Sequence, residues 1–367
     1  MTPTRLLDVD GSEIRTTDTE RWWSIVDELT DEQYIEMLRS MVLTRAFDTE
    51  AGNLQRQGKL GLWVPSIGQE GGQAGVAFAM RDQDTLFPSY REHLMVHNRG
   101  VRFAQIIDIF RGATHGGWDP AETRGARLYS LVIGTQSLHG TGYAMGVRFD
   151  GASGSGDLLA DEAVVVCYGD GASSQGDANE ALIFAASYEA PVLFMVQNNK
   201  WAISVPSSVQ SRTSLARRAS GFGVSAASVD GNDALASYAV SRSMLDAARS
   251  ENSPQYLELD TYRIGAHTTS DDPTKYRSSE ELESWKRRDP IERMRGFLNA
   301  RGVGEDVFSA IDVEAKDVAA EIRRHTLSAP TPSSDEIFDF VYSDANETLE
   351  EQKLALARFE ASFGSDE

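Results

Sequence analysis

Two short apolar runs break off in polar residues, and the distance between the breaks limits what this chain can become. The first, AVVVCYGDGASSQGDANEALIFAA, stops at Gly169-Asp170-Gly171. The second, APVLFMVQNNKWAIS, stops at Asn198-Asn199, with 26 residues between the two breaks. In that interval Ala181, Leu182, Phe184 and Ala185 recur at helical spacing within residues 177–188. Strand, helix and strand in that order make a βαβ unit. It delivers a carboxylate and a carboxamide to the carboxyl ends of two strands, where open α/β sheets bind ligands. Further strands near residues 224–229 and 255–259, with a helix over 233–248 between them, continue the alternation. The pattern predicts an α/β fold built on a doubly wound parallel sheet.

The residue types at the breaks suit a hard cation. Mg²⁺ takes oxygen ligands in near-octahedral geometry, a few from protein and the rest from phosphate and water. Asp170 offers a charged oxygen and Asn199 an amide oxygen, and the backbone carbonyl near Trp201 offers a third. Gly169 and Gly171 would let a diphosphate approach the backbone. A helix opening near Asp177 would add its amino-terminal dipole. A GDG by itself also fits an ordinary strand–turn–helix with a solvated Asp. The second strand ending in two asparagines weighs against that reading.

GDG, an interval of this length and NN together resemble the thiamine diphosphate signature. The wider chain, from about Leu29 to Leu354, is similar to the alpha subunits of the decarboxylating component of 2-oxo acid dehydrogenases, the pyruvate and branched-chain types. The landmarks are LQRQGKLGLWVPSIGQEGGQAG, FPSYREH, VIGTQSLHGTG, GDGASSQGDANEA, QNNKWAIS, VDGNDALA and YRIGAHTTSDDPTKYRS. The resemblance implies the thiamine diphosphate-binding fold with helical N- and C-terminal extensions. It divides the chain into an N-terminal arm (1–28), the cofactor-binding α/β domain (29–275) and a C-terminal helical extension (276–367) packed on that domain. Its implied cofactors are thiamine diphosphate and Mg²⁺, the cation held by Asp170, Asn199 and Trp201.

The same resemblance assigns roles one residue at a time. Tyr90 and Arg91 become diphosphate contacts, consistent with the planar donor fork of arginine. Gly169, Gly171, Ala172 and Gln197 border the cofactor. Ile133 places its carbonyl and an apolar surface beside the aminopyrimidine ring, although by pattern alone it reads as core. His267, in a Ser/Thr/Asp-rich loop at a strand end, becomes the catalytic candidate. It would orient the diphosphate and the intermediate, or assist proton transfer. His93 suits either a site or a structural role, and His115 is a second candidate. Some relatives carry His at the position of Val64, so pyruvate specificity does not transfer directly. Leu62-Trp63-Val64 would instead shape the pocket for the substrate side chain. Thr268 and Ser270 lie in the loop whose serines are phosphorylated in some relatives, Thr268 at the position of one of them; as plain loop hydroxyls they need no such role.

The implied reaction is oxidative decarboxylation of a 2-oxo acid with transfer of the acyl unit to a lipoyl-bearing acyltransferase. The activating glutamate of this family comes from a beta subunit, so the chain alone is expected to be inactive. The resemblance implies two alpha and two beta chains. An acetoin dehydrogenase alpha subunit is the enzymatic alternative, and a non-catalytic scaffold subunit the other. A net charge of −21 argues against nucleic acid and against an anionic membrane surface as partners. No apolar run approaches the ~20 residues of a membrane span. The acidic N-terminus fits neither a secretory signal nor a transit peptide, and cytoplasm is the expected compartment. Cys167 is the sole cysteine and sits in an apolar strand.

Locally, residues 1–28 read as an irregular polar arm. Thr30-x-x-Gln33 is a capping box opening a helix that Gly58 and Gly61 close. A second helix starts near Gly68, its glycines suited to close helix packing. Residues 112–127 read as a loop over a site and 150–161 as a flexible connection. After Pro273 the pattern is helical and charged.

Overall fold

The computed structural model describes residues 2–114, 117–330 and 332–363. Strands β1 (Thr85–Phe87), β2 (Val164–Gly169) and β3 (Val192–Asn198) come first. A small antiparallel hairpin, β4 (Trp201–Ala202) and β5 (Val205–Pro206), follows, and then β6 (Ser225–Asp230) and β7 (Gln255–Asp260). The five long-range strands form one sheet in the order β1-β2-β3-β7-β6. Every neighbouring pair in it is parallel. The helix of the βαβ unit is Gly176–Ser187, and the helix between β6 and β7 is Ala234–Glu251.

The sheet is covered on both faces, which explains why its strands read as unbroken apolar runs. Along β2 and β3 successive side chains alternate between faces. Val164, Val166, Tyr168, Phe194 and Val196 pack with Ala144, Ala181, Leu182 and Leu215 on one side. Val165, Cys167, Leu193 and Met195 pack with Ala74, Leu94 and Leu235 on the other. Cys167 is fully buried, its Sγ 3.9 Å from Met95 Sδ.

The capping box at Thr30 forms as expected, opening the helix Asp31–Arg56. Thr30 Oγ1 accepts from Gln33 N, and Gln33 Oε1 accepts from Thr30 N. The helix Glu70–Ala79 crosses Ala234–Glu251 closely, and its glycines permit this. A Cβ on Gly75 would sit 2.4 Å from Ser237 Cβ of the Ala234–Glu251 helix, and one on Gly72 would press on β7, 2.8 Å from Leu259 Cδ1. Gly75→Val is therefore expected to cost about 1–3 kcal/mol through overpacking, measured by urea unfolding. A variant as stable as the parent would show that the two helices can part at no cost.

The N-terminal residues depart from the irregular, polar reading. Thr4 N donates to Ser228 O, and Asp230 N donates to Thr4 O, each at 2.9 Å, which pairs the arm with the β6 edge. The amides of Leu6 and Leu7 both donate to Asp233 Oδ2 at 2.7 Å. A helix spans Glu20–Val26, and Leu6, Leu7, Trp23 and Val26 are buried. These apolar residues are too sparse to give a periodic signal, and long-range contacts order them. The 150–161 connection is likewise pinned, with Ser155 N donating to both Asp161 carboxylate oxygens at 3.1 Å.

Beyond Pro273 the chain is helical as expected, over Ser279–Lys286, Pro290–Ala300, Glu305–Ser328 and Glu347–Ala361. Glu305–Ser328 packs along Asp31–Arg56, where Arg39 pairs with Glu314 and Arg323 Nε lies 2.6 Å from Glu50. Among the described residues no helix is long and apolar enough to cross a membrane.

Candidate active site

The parallel register of β2 and β3 sets Gly169 opposite Gln197. Just past that point both strands give up the ladder. The carbonyl of Gln197 accepts from Asp170 N at 3.2 Å and from Asn199 N at 3.0 Å. One backbone oxygen thereby ties together the residues whose side chains were singled out as a carboxylate and an amide ligand. A cavity of about 250 Å³ opens there. Gly169, Asp170, Gly171 and Ala172 line it from the β2 end, and Gln197, Asn199 and Trp201 from the β3 end. Tyr90 and Arg91 reach it from the loop after β1, Ile133 from the turn before the helix Thr135–Phe149, and His267 from the loop after β7. Asp170, Asn199, Trp201, the cofactor candidates and His267 therefore border a single cavity.

Asp170 is 2 % exposed, and desolvation pushes its carboxyl up to about 6. Among the described residues its one side-chain partner within hydrogen-bond reach is Gln210 Nε2 at 3.4 Å, and the backbone amides of Asp170 and Asn199 favour its charged form. Such a buried, under-partnered carboxylate suits a cation. Asn199 donates from Nδ2 to Gln69 Oε1 at 3.1 Å. Its Oδ1 lies 3.4 Å from Trp201 N, and the carbonyl of Trp201 accepts from Arg263 Nη1 at 2.9 Å, leaving one lone pair. Among the described residues no group of three or more His, Cys, Asp or Glu could hold a metal unaided. One carboxylate with two neutral oxygens suits a hard cation that shares its shell with phosphate and water. The two glycines differ. A Cβ on Gly169 would meet only Gln197 O, at 3.9 Å, whereas one on Gly171 would press to 2.9 Å on Ala202 Cβ. Gly171 is thus small to admit the β4–β5 hairpin.

Arg91 is almost fully buried. Its Nη1 donates to Pro65 O, and its Nη2 to His267 O at 3.0 Å and His267 Nδ1 at 3.3 Å. Burial, with Arg91 and Arg263 nearby, lowers His267 to about 4, so the ring is neutral at neutral pH. Because Nδ1 accepts from Arg91, the ring proton sits on Nε2. The loop carrying His267 is fastened by its own backbone amide to Asp271 Oδ2 at 2.9 Å.

The structure gives His93 a structural place. Its Nε2 donates to Val64 O at 2.9 Å, Nδ1 accepts from Tyr129 Oη at 2.8 Å, and the ring stacks on Trp63 at 4.7 Å. Desolvation lowers it to about 4. Between about 6.5, the ordinary value, and 4 the unfolded chain binds a proton that the folded chain does not. Stability tied to His93 is complete above that window and is lost as pH falls through it. His93→Gln should flatten the acid limb of stability by up to about 1.4 kcal/mol per pH unit, read from urea midpoints between pH 6.5 and 4.5. An unchanged slope would place the acid sensitivity elsewhere.

Leu62, Trp63 and Val64 do not line the cavity, contrary to expectation. Trp63 is buried, donating from Nε1 to Asp48 Oδ1 at 2.6 Å, and Val64 faces the core. None of the described residues in 112–127 lines the cavity either; His115 lies outside the described residues.

The profile of the dehydrogenase E1 component family matches residues 38–333. The chain belongs to that family. It is 40 % identical over 356 residues to the 3-methyl-2-oxobutanoate dehydrogenase subunit alpha of Mycobacterium tuberculosis, covering 96 % of this chain and 93 % of the relative. To the pyruvate dehydrogenase E1 component subunit alpha of Staphylococcus aureus it is 36 % identical over 334 residues, 89 % and 87 % of the two chains. The corresponding subunit of Staphylococcus epidermidis is 34 % identical over 352 residues, 95 % and 90 %. The resemblance drawn from the motifs, to alpha subunits of 2-oxo acid dehydrogenases, is borne out.

In this E1 chain the cavity also has residues that local pattern did not single out. Glu92 lines it while only 1 % exposed, accepting from Ser89 N at 2.7 Å and from Gln197 Nε2 at 2.6 Å. In the sequence it reads as one more loop carboxylate. Gln69 and Gln73 stand behind the cavity, four apart in SIGQEGGQAG, a spacing that puts them on one helix face. That spacing is the one signal by which they were findable.

Proposed function

We propose that this chain is the alpha subunit of a thiamine diphosphate-dependent 2-oxo acid dehydrogenase acting on branched-chain 2-oxo acids. The cofactor reading rests on one observation: Asp170 and Asn199, at the ends of adjacent parallel strands, face a single cavity that Arg91 and His267 also reach; the branched-chain substrate follows the relative at 40 % identity. In it Asp170, Asn199 and the Trp201 carbonyl hold Mg²⁺. Tyr90 and Arg91 bind the diphosphate, and Gly169, Ala172 and Gln197 border the cofactor. Ile133 holds its bend. When bound, thiamine diphosphate supplies a ring that stores the electrons released with CO₂. His267, neutral with its proton on Nε2, donates a hydrogen bond into the cavity. It orients the diphosphate and the reacting acyl group.

The cavity is incomplete in a way that suits a shared site. About 250 Å³ falls short of the ~300–1,000 Å³ of whole small-molecule sites. Beside it stand Leu131, Val132 and Ile133 on one lip and Ile203, Val205 and Val209 on the other, all well exposed. Exposed apolar side chains gathered beside a cleft mark a protein interface. A beta subunit closes it, in an assembly of two alpha and two beta chains that passes its acyl product to a lipoyl-bearing acyltransferase. In this reading residues 29–275 carry the half-site, with an N-terminal arm before it and a helical extension after it.

The test is a substrate panel on the co-expressed alpha–beta pair with an artificial electron acceptor. The expected result is CO₂ release with at least tenfold preference for 3-methyl-2-oxobutanoate over pyruvate. Equal or better use of pyruvate would overturn the branched-chain assignment. Cleavage of acetoin without CO₂ would overturn decarboxylation.

A further inference from the structure

The helix Glu70–Ala79 begins directly behind the strand end that leads to Asn199, and Gln69 just before it and Gln73 within it reach that strand end. Gln69, the residue before the first turn, accepts from Asn199 Nδ2 at 3.1 Å. Gln73, one turn later, donates from Nε2 to Gln197 Oε1 at 3.0 Å and to Arg91 O at 3.1 Å. Four residues of helix rise roughly 6 Å, which matches two glutamines to two amide side chains two residues apart. All four are at least nine-tenths buried. The second rung continues from Gln197 Nε2 to Glu92 Oε1.

The first rung bears on a question of atoms. A carboxamide has two ends of similar shape, and only the oxygen attracts a cation. Nothing in the Asn199 side chain itself chooses which end faces Asp170. Gln69 Oε1 engages the nitrogen end from behind at 3.1 Å, a closer contact than the 3.4 Å between Trp201 N and Oδ1, and thereby turns Oδ1 away from itself. Gln69 does not line the cavity, and its Nε2 has no hydrogen-bond partner among the described residues. Among the described residues the bond to Asn199 is its one side-chain hydrogen bond. A buried amide kept for a single bond, with its other end unpaired, costs stability unless that bond serves the site.

We propose that Gln69 is a positioning residue that selects the oxygen end of Asn199 for the cation. The inference rests on the Mg²⁺-diphosphate reading of the cavity. It adds a residue that touches neither cation nor cofactor, and groups behind metal ligands tune affinity by about 10–100-fold.

The experiment measures calorimetric Mg²⁺ affinity of the co-expressed alpha–beta pair at saturating thiamine diphosphate. Gln69→Met should weaken Mg²⁺ about tenfold. Gln69→Glu, still an acceptor for Asn199 Nδ2, should restore affinity to the parent value or above. In an Asn199→Asp background the ligand has oxygen at both ends, so Gln69→Met should change affinity less than twofold. Unchanged affinity in Gln69→Met, or the same loss in both backgrounds, overturns the proposal, the second outcome pointing to a packing role. A parent complex that takes up no thiamine diphosphate with Mg²⁺ overturns the cofactor reading and this inference with it. Uptake by the parent with an unaffected Gln69→Met overturns this inference alone.

Discussion

Asp170→Ala in the assembled alpha–beta enzyme is expected to abolish Mg²⁺-dependent uptake of thiamine diphosphate and to lower turnover by about a thousandfold or more. Stabilisation of an anionic group by a bound cation is worth several kcal/mol, and ~4 kcal/mol corresponds to that factor. Among the described residues Asp170 is the only candidate cation ligand with a full charge. Asn199 and the Trp201 carbonyl cannot replace it, because neutral oxygens do not repay the dehydration of a small divalent ion. The fold should survive. Among the described residues the Asp170 carboxylate has one side-chain partner, Gln210 at 3.4 Å, and its backbone amide still bonds Gln197 O. The melting temperature of the cofactor-free variant should therefore lie within a few degrees of the parent. Calorimetry showing parent-like uptake in Asp170→Ala would remove the cation from this cavity. Assembled activity unchanged by the substitution would favour a scaffold role for the chain.

Asp84→Ala is expected to be the most destabilising of the substitutions discussed. Asp84 opens the approach to β1, and its partner Arg249 lies near the end of the helix Ala234–Glu251; both are fully buried. Arg249 Nε donates to Asp84 Oδ1 at 3.1 Å, and Nη2 bonds Oδ2. The same carboxylate accepts from Ala163 N at 3.0 Å and Arg81 N at 2.7 Å. It thus joins three segments at the amino-terminal edge of the sheet, far from the candidate site. Removing one member of a buried pair strands the other, at about 3–5 kcal/mol. For a chain of this size that lowers the melting temperature by roughly 5 °C. Cofactor affinity below the transition should be retained, which separates this variant from Asp170→Ala. A shift under 1 °C would show that Asp246, 2.8 Å from Arg249 Nη1, carries the charge unaided.

Much of the candidate site was legible because its parts are local. A strand broken by Gly-Asp-Gly and another broken by Asn-Asn each announce themselves within a few residues. The βαβ register then brings the two breaks side by side, since parallel neighbours joined by a helix end at the same edge. The family landmarks added Tyr90, Arg91, Ile133 and His267, and all four reach the same cavity. The neighbours of Arg91 in YREH were not legible. Local pattern left Glu92 and His93 as a loop carboxylate and an undecided imidazole. Burial in the core puts Glu92 on the cavity wall and turns His93 away onto Trp63. The Trp63-Val64 stretch was misassigned to the substrate pocket for the same reason. The Trp63 side chain is fixed by Asp48, Phe47 and His93, which come from other turns of the chain, and Val64 is buried in the core.

The sequence by itself determined the order of strands and helices, the positions where strands end, and the residue types at those ends. Periodicity, helix caps and β-branched runs act over a few residues, so short windows suffice to read them. Only the tertiary structure decided which polar groups face one another. Asp84 meets Arg249 across 165 positions, Asn199 meets Gln69 across 130, and the N-terminal arm docks on Asp233 across more than 220. A buried polar side chain must find a partner of the right kind wherever the packed chain presents one. That partner is chosen by the geometry of the whole core, which no local pattern encodes.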